Sequence, residues 1–234
     1  MNVRSLAALG LFAALAAPTL AVTPWSTPSG SSATITYTNG RTDTGHYTGS
    51  SPTVSNDTFL FTPSGFTLSE SGGVPYDAAL FTVNSKAGRG LANVTARITG
   101  DYSTLDGTPP SSFSAFAAPT AGATATLTLT NPANNAVVTR AFNFGSQFDS
   151  SDGSFAASVS ATIPAGWTSA LVKLSTNLTA TADSGSASFV QVKGATIDFD
   201  TVQNVPVVPL PPALLAALPG IAVAYVARRR AKRS

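Results

Sequence analysis

Few residues in this sequence can do acid–base or nucleophilic chemistry. It has one histidine, His46, and no cysteine, which excludes disulfides, thiolate nucleophiles and metal centres built on cysteine. His46, in "TDTGHYTG", has the residue type of a general base for a serine hydrolase, but the sequence has no G-x-S-x-G motif. The polar, Gly-flanked setting favours an exposed histidine over a catalytic one.

The acidic residues offer a second kind of chemistry. Glu70 is the only glutamate among 11 acidic residues. A glycosidase needs two carboxyl groups about 5–10 Å apart across a cleft. Asp149, Asp152 and Asp183 instead lie in Ser- and Gly-rich stretches, which favour turns. No catalytic residue is predicted, and the chain is predicted to be non-enzymatic.

The loop "FDSSDGSF" is a candidate calcium site, with Asp149 and Asp152 as ligands. Calcium binds carboxylate and carbonyl oxygens, and Asp198 and Asp200 share one strand face from which they could contribute more. The spacing does not match an EF-hand loop. The alternative is a simple Asp-Gly hairpin turn without a metal.

The two tryptophans, Trp25 and Trp167, are candidates for carbohydrate binding. An exposed indole gives the apolar face of a sugar a surface to stack on, whereas a tryptophan after a turn also closes the end of a sandwich core. The segment "GATIDFDTV" faintly resembles the closing strand of jelly-roll carbohydrate-binding modules. That resemblance implies extracellular polysaccharide as a partner.

Alternation of apolar and polar residues predicts the elements that must position these groups. Period-two patterns run through the body and no interior segment has a helical period, so residues 22–204 are predicted to form an all-β, antiparallel, jelly-roll-like sandwich. Gly194 is predicted to mark a bulge or to divide the last strand, and residues 23–32 an irregular lead-in. The predicted strands are Ser32–Thr38, Thr58–Thr62, Ala79–Val83, Asn93–Thr99, Ala123–Thr130, Ala136–Phe144, Ser154–Ile163, Ser169–Ala182 and Ala187–Val202.

The first 21 residues have the layout of a secretory signal peptide. Arg4 precedes an apolar stretch from Leu6 to Ala17, which is predicted to be a helix. Pro18 separates it from the small-residue site that ends at Ala21. Positive charge, apolar core and small-residue site in that order predict export through a translocon, with cleavage after Ala21.

Residues 205–234 form a distinct tail. An apolar run, Ala213–Ala227, is predicted to be a hydrophobic helix and is followed by a basic stop at 228–233. Counted from Leu210, the run would span about 27 Å as a helix, close to the thickness of a bilayer core. The positive charges would stay in the cytoplasm.

These terminal charges also explain the overall net charge of +2. The segment between the two ends carries seven of the 13 basic residues and all 11 acidic ones, for a net charge of −4. It lacks the basic footprint of a nucleic-acid-binding protein, so no nucleic-acid partner is predicted.

The motif "VPLPP", the apolar run and "ARRRAKR" together resemble a PEP-CTERM sorting domain of the VPLPA type, found in exported proteins of Gram-negative bacteria. The resemblance covers the tail alone, and Pro212 stands where the variant usually has Ala. It implies an exosortase-type processing enzyme as a partner, a sorting motif at Pro209, Leu210 and Pro211, and a basic stop at Arg228, Arg229 and Arg230. It also implies transient membrane anchoring and an association with exopolysaccharide or biofilm matrix.

Together these features predict an exported, non-enzymatic protein of the cell surface or extracellular matrix. A carbohydrate-binding module for matrix polysaccharide is the alternative, and a secreted hydrolase is the weaker one.

Overall fold

The structure, a computed structural model, describes residues 22–47, 51–105, 119–144, 148, 152–182 and 186–204. These residues form strands, turns and loops without a helix, and none of them belongs to a helix able to cross a membrane. The predicted signal peptide and the sorting tail, with their two helices, lie outside these ranges. Packing divides the chain into two compact units, Met1–Val202 and Gln203–Ser234.

The strands alternate with short turns along the whole described chain. They are β1 (Thr23–Pro24), β2 (Gly30–Ser31), β3 (Ile35–Thr42), β4 (Thr53–Ser55), β5 (Thr58–Phe61), β6 (Thr67–Ser69), β7 (Gly72–Gly73), β8 (Tyr76–Ser85), β9 (Arg89–Leu105), β10 (Thr120–Thr130), β11 (Val137–Ala141), β12 (Asp152–Thr162), β13 (Ser169–Thr181) and β14 (Ala187–Gln203).

The strands form two antiparallel sheets. Sheet A has the order β1-β3-β8-β13-β10-β11, and β2 also pairs with β3. Sheet B has the order β12-β9-β14-β5-β4, with β6 paired to both β14 and β7. The all-β class and the antiparallel sheets predicted from the sequence are confirmed.

Alternation along the strands determines which side chains form the core. In β10, Leu127 and Leu129 are buried while the intervening threonines reach the surface. Their registered partners in β13, Leu174 and Val172, are also fully buried. Two neighbouring strands thus bury the same face, as a half-buried antiparallel sheet requires.

The two sheets pack face to face around a common apolar core. Phe59 of sheet B lies with its ring centroid 4.5 Å from that of Phe81 in sheet A. Phe199, also in sheet B, meets Phe81 edge-on at 6.3 Å. Such tilted and edge-to-face ring pairs are favourable geometries, and they fix the two layers as a sandwich.

All nine predicted strands overlap observed ones, and five more are present. The additional strands, β1, β2, β4, β6 and β7, are two or three residues long, too short to show a period. Two of them lie within the predicted lead-in at 23–32, so describing that segment as irregular was wrong: β1 and β2 hydrogen-bond to β3.

Two strands change which alternate residues face inward partway along. In β3 the register with β8 shifts between Thr38 and Arg41, where Asn39 has φ of 58°. In β14 the buried positions change from even to odd numbers across Lys193 and Gly194. The strand that pairs with β14 on this side also changes there, from β6 to β5. Gly194 therefore marks a bulge within one continuous strand, as the first of the two predictions had it.

Candidate functional site

The outer face of sheet B carries two open grooves along β9. The first, of about 310 Å³, is lined by Leu60, Arg97, Thr99, Gly194, Ala195 and Thr196. The second, of about 430 Å³, is lined by Asp101, Tyr102, Ser103, Asp152, Gly153 and Phe189. Both grooves carry charged side chains, Arg97 in the first and Asp101 and Asp152 in the second.

The two grooves follow one another because of strand alternation. Arg97, Thr99, Asp101 and Ser103 are successive outward positions of β9, since every second side chain of a strand points to the same face. From Arg97 to Ser103 the strand rises roughly 20 Å at about 3.3 Å per residue. The two grooves therefore lie in a row along the strand, an arrangement suited to an extended ligand.

The bulge in β14 forms part of the first groove. It places Lys193 and Gly194 consecutively on the outer side. The Thr99 hydroxyl donates a hydrogen bond to the Gly194 carbonyl (3.3 Å), and a Cβ at position 194 would lie 3.1 Å from that hydroxyl oxygen. Glycine therefore keeps the floor of the groove low, and the bulge directs the neighbouring lysine towards the solvent.

An ion pair links the two strands that line the grooves. Lys193 of β14 pairs with Asp101 of β9, and these side chains remain 55% and 38% exposed. An exposed pair of this kind contributes little to stability. Its donors and acceptors can consequently exchange their mutual contact for hydroxyl groups of a ligand.

Each groove also has one exposed apolar side chain. Leu60 is 46% exposed in the first and Phe189 is 36% exposed in the second. Binding sites combine apolar surface with a few placed polar groups. Here the groove linings supply a guanidinium, two carboxylates and several hydroxyls, and the Lys193 ammonium lies beside them as the partner of Asp101. The arrangement fits a ligand that has apolar patches and many hydroxyls.

Neither tryptophan belongs to this face. Trp25 is 3% exposed and packs on the rings of Phe61 (5.8 Å) and Phe81 (5.4 Å). Its ring lies so close to Gly40 that a Cβ there would be 2.0 Å away. Trp167 is 4% exposed, and its carbonyl accepts a hydrogen bond from the Leu91 N–H (2.8 Å). Both are core residues, so an exposed indole platform does not match where the structure places them.

The candidate calcium ligands are only partly described. Asp152 begins β12, is exposed and lines the second groove. Asp149 lies outside the described residues. Within the described ranges no three metal-binding side chains cluster, and the calcium site stays a prediction.

His46 belongs to a loop that the nearby Asp77 carboxylate anchors. The His46 ring Nδ1 lies 3.2 Å from the Ser64 carbonyl oxygen, and its backbone N–H donates to the buried Asp77 carboxylate (2.7 Å). Thr44 and Tyr47 also donate their backbone N–H groups to Asp77, at 2.9 and 2.6 Å. This carboxylate organises residues 43–47.

Two tyrosines beside this anchor are held in their neutral form. Burial raises the pKa of the Tyr47 hydroxyl, which also bonds to Thr176 (3.2 Å), and the Asp77 charge adds to the increase. Burial likewise raises the pKa of Tyr76, whose hydroxyl donates to Asp43 (2.9 Å). Both therefore act as hydrogen-bonding groups of the scaffold.

Arg97, Lys193 and Phe189 were not among the site residues predicted from the sequence. The segment "SFVQVKG" did hold a signal, because Phe189 alternates with buried Ser188, Val190 and Val192 and so occupies an outward position. A large aromatic residue on the polar side of a strand is unusual. The residues of the sorting motif, Pro209 to Pro211, and of the basic stop, Arg228 to Arg230, lie outside the described residues.

Comparison with known proteins gives little. No protein-family model matches the chain, and no curated protein matches it. Among solved structures, one match is the enzymatically active domain of tailspike protein 4 from bacteriophage CBA120, with 11% sequence identity and a TM-score of 0.22. The match covers 74% of this chain and 18% of that one. A likeness at this level carries no conclusion about function.

Proposed function

We propose that the chain is an exported, non-enzymatic β-sandwich protein of the cell surface or extracellular matrix, and that it binds matrix polysaccharide on the outer face of sheet B. The observation that carries the binding role is the row of two grooves along β9, with Arg97, the Lys193–Asp101 pair and exposed Leu60 and Phe189. A jelly-roll connection of the strands belongs to the same proposal.

A polysaccharide suits this surface for chemical reasons. Sugar rings present apolar C–H faces, which would pack on Leu60 and Phe189, and hydroxyls, which would bond to charged groups and threonines. The roughly 20 Å length of the row matches several consecutive sugars better than one small molecule. The grooves are open along the sheet, as binding along a polymer requires.

The export route rests on the termini. The signal peptide directs the chain to the translocon, and the tail is recognised at Pro209–Pro211 and processed by an exosortase-type enzyme. Intact-mass measurement of the protein recovered from its native cell tests this. We expect a chain that begins at Val22 and has lost its tail near Pro209, whereas a full-length membrane form would contradict processing.

Binding is tested by affinity electrophoresis of the full chain in gels that contain individual bacterial exopolysaccharides. We expect retardation by at least one, and a loss of affinity on the order of tenfold for Arg97→Ala or for Phe189→Ala, since a few central residues carry most binding energy. Arg140→Ala is the matched control because Arg140 is an exposed arginine on β11 in the other sheet. Equal losses in Arg97→Ala and Arg140→Ala would refute the assignment to this face.

A further inference from the structure

The strand at one end of sheet B, β12, is a long one. β12 spans 11 residues and pairs along all of them with β9. Within the described residues, no strand pairs with its other side. From Ala157 to Thr162, the backbone N–H and C=O groups on that side can form hydrogen bonds with another strand.

The other sheet ends are protected in ways that β12 is not. β1 has two residues and includes Pro24, β4 has three residues, and β11 has five and includes Arg140. Short length, proline and charge are the usual means of preventing edge-to-edge association. From Gly153 to Thr162, β12 has neither a proline nor a charged residue.

The second half of β12 lies beyond the aromatic contacts at its start. Near its start, Phe155 contacts the rings of Phe144 (5.6 Å) and Phe148 (5.2 Å), which come from the segment before the strand. Beyond it, Ala157–Thr162 continues for six residues with Ala161 buried and Ser158, Ser160 and Thr162 on the outer face. Six residues are an ordinary strand length.

This half is complementary to itself. In an antiparallel pair related by a two-fold axis, residues on the same face lie opposite one another, so Ser158, Ser160 and Thr162 meet only each other in any allowed register. All three are small and uncharged. The chain already makes such contacts between strands: the hydroxyls of Thr95 and Ser160 lie 2.9 Å apart, and those of Thr126 and Ser175 lie 2.7 Å apart.

We propose that the Ala157–Thr162 half of β12 pairs antiparallel with the same segment of a second copy of this chain. The two B sheets then form one continuous sheet with their outer faces on the same side. Because β9 is the neighbour of β12, each copy contributes its row of grooves close to the junction, and a long polymer can engage both rows with increased avidity. The pairing itself does not depend on the proposed polysaccharide binding.

Sedimentation velocity of the full chain in a non-ionic detergent tests the proposal. We expect a concentration-dependent dimer for the wild type. The double variant Ser158→Lys/Ser160→Lys should raise the dimer dissociation constant on the order of tenfold or more, since like charges directly opposite each other destabilise a strand pair. An equimolar mixture with Ser158→Asp/Ser160→Asp should restore the dimer, because opposite charges then face each other.

The matched control is Asn177→Lys/Thr179→Lys. Asn177 and Thr179 are exposed, two residues apart, and lie on β13, which has neighbours on both sides; this variant should dimerise like the wild type. Thermal unfolding of each variant separates lost pairing from lost folding. A wild-type chain that stays monomeric at all concentrations overturns the proposal, as does a dimer that the β12 lysines leave intact. A β12 variant that is folded and monomeric yet still binds polysaccharide through one groove row would separate the two proposals.

Discussion

Two aspartates in neighbouring regions of the sandwich illustrate opposite uses of the same side chain. Asp77 on β8 is fully buried and accepts backbone N–H groups from Thr44, His46 and Tyr47. Asp101 on β9 is partly exposed, and Lys193 is its one ionic partner among the residues that the structure describes. The difference lies in how many protein donors surround the carboxylate.

A carboxylate saturated by its own backbone has no bonding capacity left for a ligand. Hydrogen bonds to an ionised group are stronger than neutral ones, and removing their acceptor leaves buried donors unsatisfied. A carboxylate with one exposed partner can exchange that partner cheaply. Position within the hydrogen-bond network, more than residue type, therefore distinguishes the scaffold from the site in this molecule.

The largest effect is expected at the saturated carboxylate. Asp77→Ala should lower the free energy of unfolding by about 3 kcal/mol or more, since three loop N–H groups lose a charged acceptor and that of Tyr47 is buried. Urea unfolding followed by circular dichroism measures this. Asp77→Asn is the control, because it keeps one acceptor oxygen and should cost less. A loss below 1 kcal/mol for the alanine variant would mean that the loop does not depend on this anchor.

An intermediate effect, dependent on pH, is expected at Asp57. Burial acts to raise the pKa of this carboxyl, but hydrogen bonds from the Thr34 hydroxyl and backbone N–H outweigh it and hold the pKa below its usual value. A lowered folded-state pKa gives stability that is present above the unfolded pKa of about 3.9 and is lost as the pH falls through the folded value.

Comparison of wild type and Asp57→Asn tests that dependence. Urea midpoints measured between pH 2 and 7 should converge below pH 4, because only the wild type loses the stabilisation of the ionised group. Above pH 5 the gap should be constant and smaller than that of Asp77→Ala. Parallel curves over the whole range would show that Asp57 contributes nothing specific to acid stability.

The fold was largely predictable because its signal is local. Leu127 and Leu129 alternate with threonines, and this pattern alone identifies a strand and its buried face. The strand pairings were not predictable. For example, β8 and β13 are far apart in the sequence, and no pattern in either segment indicates that the two strands pair. The packing of Trp25 over Gly40 likewise depends on the bulge at Asn39, which only the paired strand reveals.

The candidate site was less predictable than the fold. The rare residue types His46, Trp25 and Trp167 were candidates from the sequence, and the structure places both tryptophans in the core. The grooves are instead built from common residues on adjacent strands, such as Thr99 and Gly194, which are 95 positions apart in the chain and meet in the first groove. Asp77 held a weak signal, because a charged residue inside the apolar run "YDAALF" requires buried partners.

The smallest effect on stability is expected at the exposed pair. Asp101→Ala and Lys193→Ala should each change the free energy of unfolding by at most about 0.5 kcal/mol, since the pair is solvated and screened by salt. The same variants should weaken polysaccharide retention severalfold, because they remove a carboxylate of the second groove or the ammonium paired with it. Unfolding and retention measured on one preparation separate the two roles. If Asp101→Ala were as destabilising as Asp77→Ala, the pair would belong to the scaffold, and the outer face of sheet B would lose its strongest candidate for polar contacts with a ligand.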